Sequence, residues 1–129
     1  MATNKKELNS LFIEKYFNYL TFLKSHMEND SVFTSFITKN KALKKVNPKI
    51  FIKTWYKYIC VPYYTYIIKM DENYFINNDD TTNYNEMDYI TKECKKIYIT
   101  LCDDEKKKLW EHIINLSNYA CLYFQYISI

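Results

Sequence analysis

The amino-acid sequence predicts an all-α protein that folds as a single compact bundle of five or six helices over residues 1–129. Apolar residues recur at intervals of three and four positions along most of the chain, which is the spacing of one helix face. The chain contains no glycine, so it lacks the residue that tight β-hairpin turns use at positive φ. Its length and its hydrophobic content of 48% suit one domain with a closed core but leave too few residues for two.

The first two predicted helices are separated by a polar turn. Thr3 or Asn4 is placed to cap a helix that runs to about His26. The apolar stripe of this helix consists of Leu8, Phe12, Tyr16, Tyr19, Leu23 and Met27. The segment Asn29-Asp30-Ser31 then forms a turn that can cap a second, shorter helix. The apolar positions of the second helix are Val32, Phe33, Phe36, Ile37 and Leu43.

Two prolines divide the middle of the chain. Asn47 is a suitable helix cap, and Pro48 fits the first turn of a helix, where its missing N–H costs nothing. One face of this helix carries Phe51, Trp55, Tyr58 and Ile59. Pro62 is expected to end or kink it, although helical spacing continues beyond the proline. The positions that keep this spacing are Tyr63, Tyr66, Ile67 and Met70. A strand over residues 63–68 is the competing interpretation, but it lacks polar alternation, so a helix is favoured.

The second half of the chain predicts a loop followed by two helices. Residues 71–85 are polar and rich in Asn and Asp, which indicates a long loop. A helix from about Asn85 to Leu101 follows, and its inward positions are Tyr89 or Ile90, Cys94, Ile97 and Leu101. The segment Cys102-Asp103-Asp104-Glu105 has the pattern of a cap and an acidic first turn. The last helix has an apolar stripe formed by Leu109, Ile113, Leu116, Ala120, Tyr123 and Ile127, widened by Trp110, Ile114, Cys121 and Phe124. A stripe this wide predicts the central, most enclosed helix.

Composition excludes several classes of binding and catalytic site. Without glycine, the chain cannot form Gly-rich phosphate loops or dinucleotide-binding fingerprints. Without arginine, all 18 basic residues are lysines, and a bidentate guanidinium clamp is impossible. Trp55 and Trp110 each fall on an apolar stripe, which favours core packing over ligand stacking. No signal peptide or bilayer-spanning apolar run is recognisable, so we expect a protein of the cytosol or nucleus with free thiols.

The cysteines and histidines have spacings that argue against a reaction centre. The nearest thiols, Cys94 and Cys102, are eight residues apart, and His26 and His112 stand alone, whereas zinc ligands usually occur in close pairs. Cys121 and His112 lie on one predicted helix about two and a half turns apart, too far to act as a nucleophile and its base. We therefore expect no enzyme activity, no bound metal and no cofactor.

Positive charge is concentrated in the first half of the sequence. Residues 1–69 hold 12 lysines and four acidic residues, a net charge of +8, whereas residues 70–129 hold six lysines and 11 acidic residues, a net charge of −5. Seven lysines and no acid lie between positions 39 and 57. The candidate binding residues in this stretch are Lys41, Lys44, Lys45, Lys49, Lys53, Tyr56 and Lys57. Lys49, Lys53 and Lys57 are four residues apart and line one helix face.

This lysine-rich stretch has three interpretations. The first is a solvated helix face balanced by the acidic half, within the fold or in a neighbouring molecule. The second is a docking surface for an acidic protein. The third is a ridge that follows a nucleic-acid backbone, with Tyr56 as a stacking group. Lysines neutralise phosphates but carry little information about bases, so any nucleic-acid binding is expected to be mostly non-specific and sensitive to salt.

An ordered set of short motifs runs through residues 8–125. They are Asn47-Pro48, Trp55, Val61-Pro62-Tyr63, Asp71-Glu72-Asn73-Tyr74-Phe75 and Leu109-Trp110. In this order the chain resembles small helical proteins encoded by nucleocytoplasmic large DNA viruses. The abundance of Lys, Asn, Ile, Tyr and Phe, whose codons are AT-rich, agrees with such an origin. The resemblance implies no catalytic residues and places the protein in the infected cell or in the virion.

Together these features predict a non-catalytic viral helical interaction protein. It is expected to bind another protein or itself in the host cell cytoplasm or nucleus, or in the virion, and not to associate with a membrane. The alternative is a nucleic-acid-binding module that uses the lysine-rich helix face.

Overall fold

The computed structural model describes residues 4–27, 30–77 and 86–125, with backbone only at 86–88. These residues contain six helices and no strands, in a compact arrangement, which confirms the predicted fold class. Helix α1 is Lys5–Ser25, α2 is Ser31–Val46, α4 is Glu72–Asn77, α5 is Glu86–Tyr98 and α6 is Asp103–Gln125. Helix α3 consists of three contiguous segments, Ile50–Trp55, Tyr56–Cys60 and Val61–Ile68, of which the middle one is π-helical.

Side-chain caps begin the first two helices. The Asn4 side chain accepts a hydrogen bond from the Glu7 backbone N–H at 2.9 Å. Asp30 does the same for the Phe33 N–H at 3.0 Å, as the sequence predicts. Each cap satisfies one of the N–H groups that a helix start leaves without an intrahelical partner. Helix α2 then runs for 16 residues and is longer than expected.

The boundary at Asn47-Pro48 is where the sequence places it, but the predicted cap is wrong. Asn47 ends α2, because its N–H donates to the Leu43 carbonyl at 2.7 Å, and its own carbonyl accepts from the Ile50 N–H at 3.2 Å. Lys49 occupies the cap position of α3 without a side-chain hydrogen bond. A capping side chain must reach the second or third helical N–H, and Asn47 lies too far upstream of Ile50 to do so.

Pro62 neither ends α3 nor leaves it regular. Since Pro62 has no N–H, it cannot donate to the carbonyl one turn back. The preceding turn widens into a π-helix, in which the Val61 N–H donates to the Tyr56 carbonyl five residues earlier. The chain then continues as an α-helix to Ile68, which confirms a helix rather than a strand. Of the positions predicted to face inward after Pro62, Ile67 is buried, whereas Tyr66 and Met70 are exposed.

Part of the predicted loop at residues 71–85 is helical. Asp71 accepts a hydrogen bond from the Tyr74 N–H at 3.0 Å, and α4 follows. Ring contacts hold this helix in place: Tyr74 stacks on Tyr66, and Phe75 packs against Trp110 with ring centroids 5.4 Å apart. Its six residues are too short to show helical periodicity in the sequence. Residues 78–85 of the predicted loop lie outside the described residues.

The core lies between α1, α3 and α6, with α2 and α5 contributing at its edge. Its fully enclosed large side chains include Phe12, Leu20, Leu23, Phe33, Ile52, Ile90, Leu109 and Leu116. The inward stripes predicted for α1, α5 and α6 are confirmed by this burial, although Ile127 lies outside the described residues. Val32 is an error of prediction, because its side chain is 64% exposed at the start of α2. Helix α6 packs against α1 and against the whole length of α3.

Two buried polar residues tie the core helices together. The Trp55 indole Nε1–H donates to Ser117 Oγ at 3.0 Å and so joins α3 to α6. The Tyr16 hydroxyl donates to Asn40 Oδ1 at 3.3 Å and joins α1 to α2. The Asn40 amide in turn donates to the Phe36 carbonyl at 2.7 Å. Buried polar groups with partners avoid the desolvation cost of unpaired ones.

Helix α6 runs antiparallel to both α3 and α1. Along α3, Tyr56 stacks on Phe124, while Tyr64 donates a hydrogen bond to Asn118 at 2.9 Å. Along α1, the Lys5 amine lies over the Tyr123 ring and His26 pairs with Glu105. The start of α3 therefore lies near the C-terminal end of α6. None of the helices in the described parts of the chain has the length and apolarity to cross a bilayer.

Candidate binding surface

The lysines predicted as candidate binding residues are exposed in the structure. We define the basic face as Lys41, Lys44, Lys45, Lys49, Lys53 and Lys57, and each of these side chains is exposed. The first three lie on the C-terminal half of α2, and the other three run from the start of α3 into its π-helical segment. The connection between α2 and α3 comprises only residues 47–49, so the two groups meet at a corner of the bundle.

Helix electrostatics accounts for only part of the basic face. Lys44 and Lys45 lie in the last turn of α2, where positive charge interacts favourably with the helix dipole. Lys49 occupies the cap position of α3, and Lys53 follows one turn later, where the dipole disfavours positive charge. The first turn of α3 contains no acidic residue to compensate. Helix stability therefore does not explain the lysines at the start of α3.

Within the described part of the chain, the basic face takes part in no ion pair. Among the residues that the structure describes, no carboxylate oxygen lies within 4.0 Å of an amine of these six lysines. Acidic residues elsewhere do find partners: the Lys106 amine lies 3.7 Å from Glu72, and the Lys96 amine lies 3.3 Å from Glu93. The positive charge of the basic face is thus left to solvent or to another molecule.

Aromatic rings hold two of these lysines over the protein surface. The Lys44 amine lies 5.5 Å from the centre of the Phe17 ring, and the Lys57 amine lies 5.2 Å from the centre of the Tyr58 ring. Contacts of this kind are worth about 0.5–1 kcal/mol at exposed sites. They orient the lysine stems but leave the ammonium hydrogens available to an external acceptor.

Tyr56 is placed differently from the lysines. Its ring stacks on Phe124 of α6, with centroids 4.2 Å apart and the planes inclined by 23°, and the side chain is half-buried. One ring face is therefore already covered by the protein. A base that stacks on Tyr56 would have only the other face, so this residue is a weaker stacking platform than its sequence position suggests.

Two exposed valines accompany the basic face and were not among the candidate residues. Val46 follows Lys45 at the end of α2 and is 83% exposed, and Val61 lies one turn after Lys57 and is 67% exposed. Each lies outside the apolar stripe of its helix, which is the sequence signal that could have marked it. Burying either valine against a partner would add apolar area to a contact made by the lysines.

The opposite end of the bundle carries exposed acid. We define the acidic end as Asp103, Asp104 and Glu105, which form the first turn of α6. Asp103 and Asp104 are exposed, and within the described residues no lysine or histidine nitrogen lies within 4.0 Å of their carboxylates. Glu105 pairs with His26 at 3.6 Å. The Cys102 thiol and the Cys102 N–H, which donates to Glu105 at 3.2 Å, lower the pKa of Glu105.

The length of α6 separates the two charged regions. Its 23 residues span about 34 Å, whereas the screening length at physiological salt is about 8 Å. Because the start of α3 lies at the far end of α6, the acidic end cannot neutralise the basic face within one molecule.

Three of the thiols, Cys60, Cys94 and Cys121, lie in environments that raise their pKa and so suppress their reactivity. Burial raises the pKa of Cys94 to about 12, and burial together with the neighbouring Cys121 raises the pKa of Cys60 further. A nucleophilic thiol needs the opposite shift, since the thiolate is the reactive form. Burial also lowers the pKa of His112. Within residues 4–27, 30–77 and 86–125, no three His, Cys, Asp or Glu side chains gather into a metal-binding group.

Comparisons of this chain with protein families, curated proteins and solved structures find no match. The role of the basic face thus rests on its own geometry and charge. Its exposed amines, the two valines and the distant acidic end together favour binding over chemistry.

Proposed function

We propose that this protein is a non-catalytic helical interaction protein of viral origin whose basic face binds an acidic protein surface. The partner that the chain itself supplies is the acidic end of a second copy. In this arrangement, molecules join head to tail, with the corner between α2 and α3 of one copy against the start of α6 of the next.

One observation carries the proposal: among the described residues, the basic face has no carboxylate partner within 4.0 Å. Six positive charges on one corner repel each other, and Lys49 adds to the positive end of the α3 dipole. An acidic partner relieves both effects. Val46 and Val61 add apolar area to the contact, which a purely electrostatic surface for polyphosphate does not need.

The second copy is favoured as partner by the separation of charge along α6. A surface of each sign at opposite ends of one molecule is complementary to itself in a heterologous, head-to-tail contact. Such a contact leaves one free end of each kind, so it produces chains whose length depends on protein concentration. An isologous dimer, in contrast, would pair the same two surfaces twice, close on itself and stop at the mass of a dimer.

Sedimentation velocity tests this proposal over a series of protein concentrations at low and high salt. We expect the average mass to rise with concentration at low salt and to approach the monomer at high salt, because screening weakens contacts between exposed charges. A monomer mass that is independent of concentration at both salt levels would exclude self-association and leave a separate acidic protein as the partner.

A charge-reversal variant locates the contact. The triple substitution Lys49→Glu, Lys53→Glu and Lys57→Glu should yield monomers at low salt, since it replaces the positive face of α3 with a negative one. The matched control reverses Lys92 and Lys96, exposed lysines on α5 that belong neither to the basic face nor to the acidic end. Association that persists in the triple variant, or that is lost equally in the control, would contradict the assignment of this surface.

A nucleic-acid-binding module is the second candidate, favoured by the same exposed lysines. Ammonium groups along α3 are placed to neutralise phosphates and release their counterions. The absence of arginine and the covered face of Tyr56 limit any such binding to the backbone, without base recognition.

Fluorescence anisotropy with labelled duplex DNA, single-stranded DNA and RNA tests this second candidate across salt concentration. If nucleic acid is the partner, log affinity should fall linearly with log salt, with a slope that counts the phosphates contacted. The triple variant should lose this binding, and the Lys92 and Lys96 control should retain it. A lack of binding at low salt would exclude the nucleic-acid-binding function.

The ordered motifs and the abundance of residues with AT-rich codons support a viral origin and a location in infected cells. We propose that the protein acts in the host cell cytoplasm or nucleus, or is packaged in the virion. Mass spectrometry of purified virions and of nuclear and cytoplasmic fractions from infected cells would decide between these locations. Absence of the protein from all three would contradict the proposal.

A further inference from the structure

A cavity of about 90 Å³ opens among α1, α3, α4, α5 and α6, away from the basic face. Its floor is formed by buried side chains, among them Tyr19, Trp55, Cys94 and Trp110. Around its partly open mouth lie side chains with greater exposure, including Tyr66. Well-packed cores rarely leave voids larger than a water molecule, so a space of this size calls for an occupant.

The floor of the cavity presents apolar surface because its polar atoms have partners in the protein. The Trp55 Nε1–H donates to Ser117 at 3.0 Å, and the Trp110 Nε1–H donates to the Tyr98 hydroxyl at 3.1 Å. Burial raises the pKa of Tyr19 and of Cys94, so both groups stay uncharged. No charged group of the ligand is needed to satisfy these atoms, and a charged ligand would lose its hydration without compensation.

The charged groups at the mouth are also used by the protein. One Asp71 carboxylate oxygen accepts the Tyr74 N–H and caps α4. The Lys95 amine lies 6.0 Å from the centre of the Phe75 ring, on a ring face that a cationic ligand would otherwise use. A carboxylate and an amine at the same mouth give no preference for an anion or a cation. The ligand that suits this lining is neutral.

The volume limits the ligand to a small molecule. A cavity needs about 10–15 Å³ to hold one water molecule, so a cavity of about 90 Å³ has room for several. An engineered apolar cavity of about 150 Å³ in another protein stays dry and binds benzene. The cavity described here is smaller, but its mouth is open, so part of a ring can extend between the side chains of the mouth.

We propose that this cavity is a binding site for a neutral, apolar molecule of the size of one aromatic ring. The rings of Trp55 and Trp110 contact the ligand from the floor, and Tyr66 contacts it at the mouth. This cavity is separate from the basic face. The ligand-binding proposal does not depend on the function proposed for the basic face.

The two tryptophans make the site measurable in the intact chain. They are the only tryptophans in the sequence, and both line the cavity. Iodobenzene is a suitable probe, because its heavy atom quenches indole fluorescence on contact and its ring matches the proposed ligand. We expect quenching that saturates with iodobenzene concentration and is reversed by benzene, which competes for the cavity without quenching.

Cavity-filling variants distinguish this site from non-specific partitioning. Ile113→Phe fills the cavity from α6, and Ile59→Phe fills it from α3. Ile114→Phe is the matched control, since Ile114 is the half-buried neighbour of Ile113 and does not line the cavity. Each filled variant should require about tenfold or more iodobenzene for half-saturation, whereas the control should resemble the natural protein.

Several outcomes would overturn the proposal. They are quenching that rises linearly without saturation, no quenching at all, or saturable quenching that is unchanged in both filled variants. Circular dichroism establishes that each variant is folded. Should both filled variants fail to fold, competition by benzene in the natural protein decides the question, and failure to compete counts against the site.

Discussion

The aromatic seam and the basic face share helix α3, yet their side chains there have opposite surroundings. The aromatic seam consists of Phe12, Tyr16, Tyr19, Phe51 and Trp55, all buried. Its rings meet at centroid distances between 5.2 and 6.2 Å, in edge-to-face, tilted and stacked pairs. Lys49, Lys53 and Lys57 occupy the other side of α3 and are exposed. The contrast separates residues that the fold requires from residues that the fold leaves free for a partner.

The largest expected difference between the two regions is in stability. Phe12→Ala should lower the free energy of unfolding by about 3–5 kcal/mol, because it leaves a void where the ring packs against Tyr16 and Trp55. Lys53→Ala should change it by no more than about 0.5 kcal/mol, as is usual for exposed side chains without partners. Urea unfolding followed by circular dichroism measures both. Equal losses would show that the basic face takes part in the fold.

Removing the hydrogen bond between Trp55 and Ser117 should cause a smaller loss of stability. Trp55→Phe keeps most of the ring packing but removes the donor to Ser117, and should cost about 1–3 kcal/mol. Ser117→Ala should make the loss of Trp55→Phe smaller, because both changes remove the same bond. A double-mutant cycle measures this coupling, and strictly additive losses would mean that the bond contributes no stability of its own.

Removing the side-chain cap of α2 should lower the free energy of unfolding by about 1 kcal/mol. Asp30→Ala removes the acceptor for the Phe33 N–H at the helix start. Ser35→Ala, an exposed change in the same helix, serves as the control and should be neutral or slightly stabilising, since alanine has the higher helix propensity. Thermal unfolding compares the two. Equal melting temperatures would show that the Asp30 side chain does not cap α2 in solution.

The smallest expected effect is a pH dependence that originates at His112. Burial lowers the pKa of His112 in the folded protein below its ordinary value of 6.5, so the unfolded chain binds more protons between the two values. Stability is therefore complete above about pH 6.5 and declines as the pH falls below it. His112→Phe removes this contribution and keeps a ring beside Phe22. Urea unfolding at about pH 7.5 and about pH 5.5 should show a smaller decline in the variant. An equal decline in both proteins would contradict this origin.

Much of the aromatic seam could be predicted from the sequence, because α1 is long enough for its apolar spacing to be unambiguous. The stripe from Leu8 to Leu23 is buried as expected. Local signals were less reliable where several roles compete for one residue. Asn47 has the composition of a cap for α3 but ends α2 instead. Helix α4 depends on ring contacts with Tyr66 and Trp110, which no local pattern reveals.

The candidate site was predictable in position but not in its surroundings. The exposure of Lys49, Lys53 and Lys57 follows from their spacing opposite the apolar face of α3. The stacking of Tyr56 on Phe124 could not be foreseen, because it joins residues far apart in the chain. The lack of carboxylate partners and the position of the acidic end likewise depend on the antiparallel packing of α3 and α6.

The most direct test of the central claim, that the basic face is a free docking surface, is a mixing experiment with two charge-reversed proteins. One carries Lys49→Glu, Lys53→Glu and Lys57→Glu, and the other carries Asp103→Lys and Asp104→Lys. Sedimentation velocity at low salt should show each variant alone as a monomer. The mixture should associate again, because each intact end meets its opposite charge on the other protein. A mixture that remains monomeric, while the natural protein associates under the same conditions, would contradict head-to-tail binding through these two surfaces.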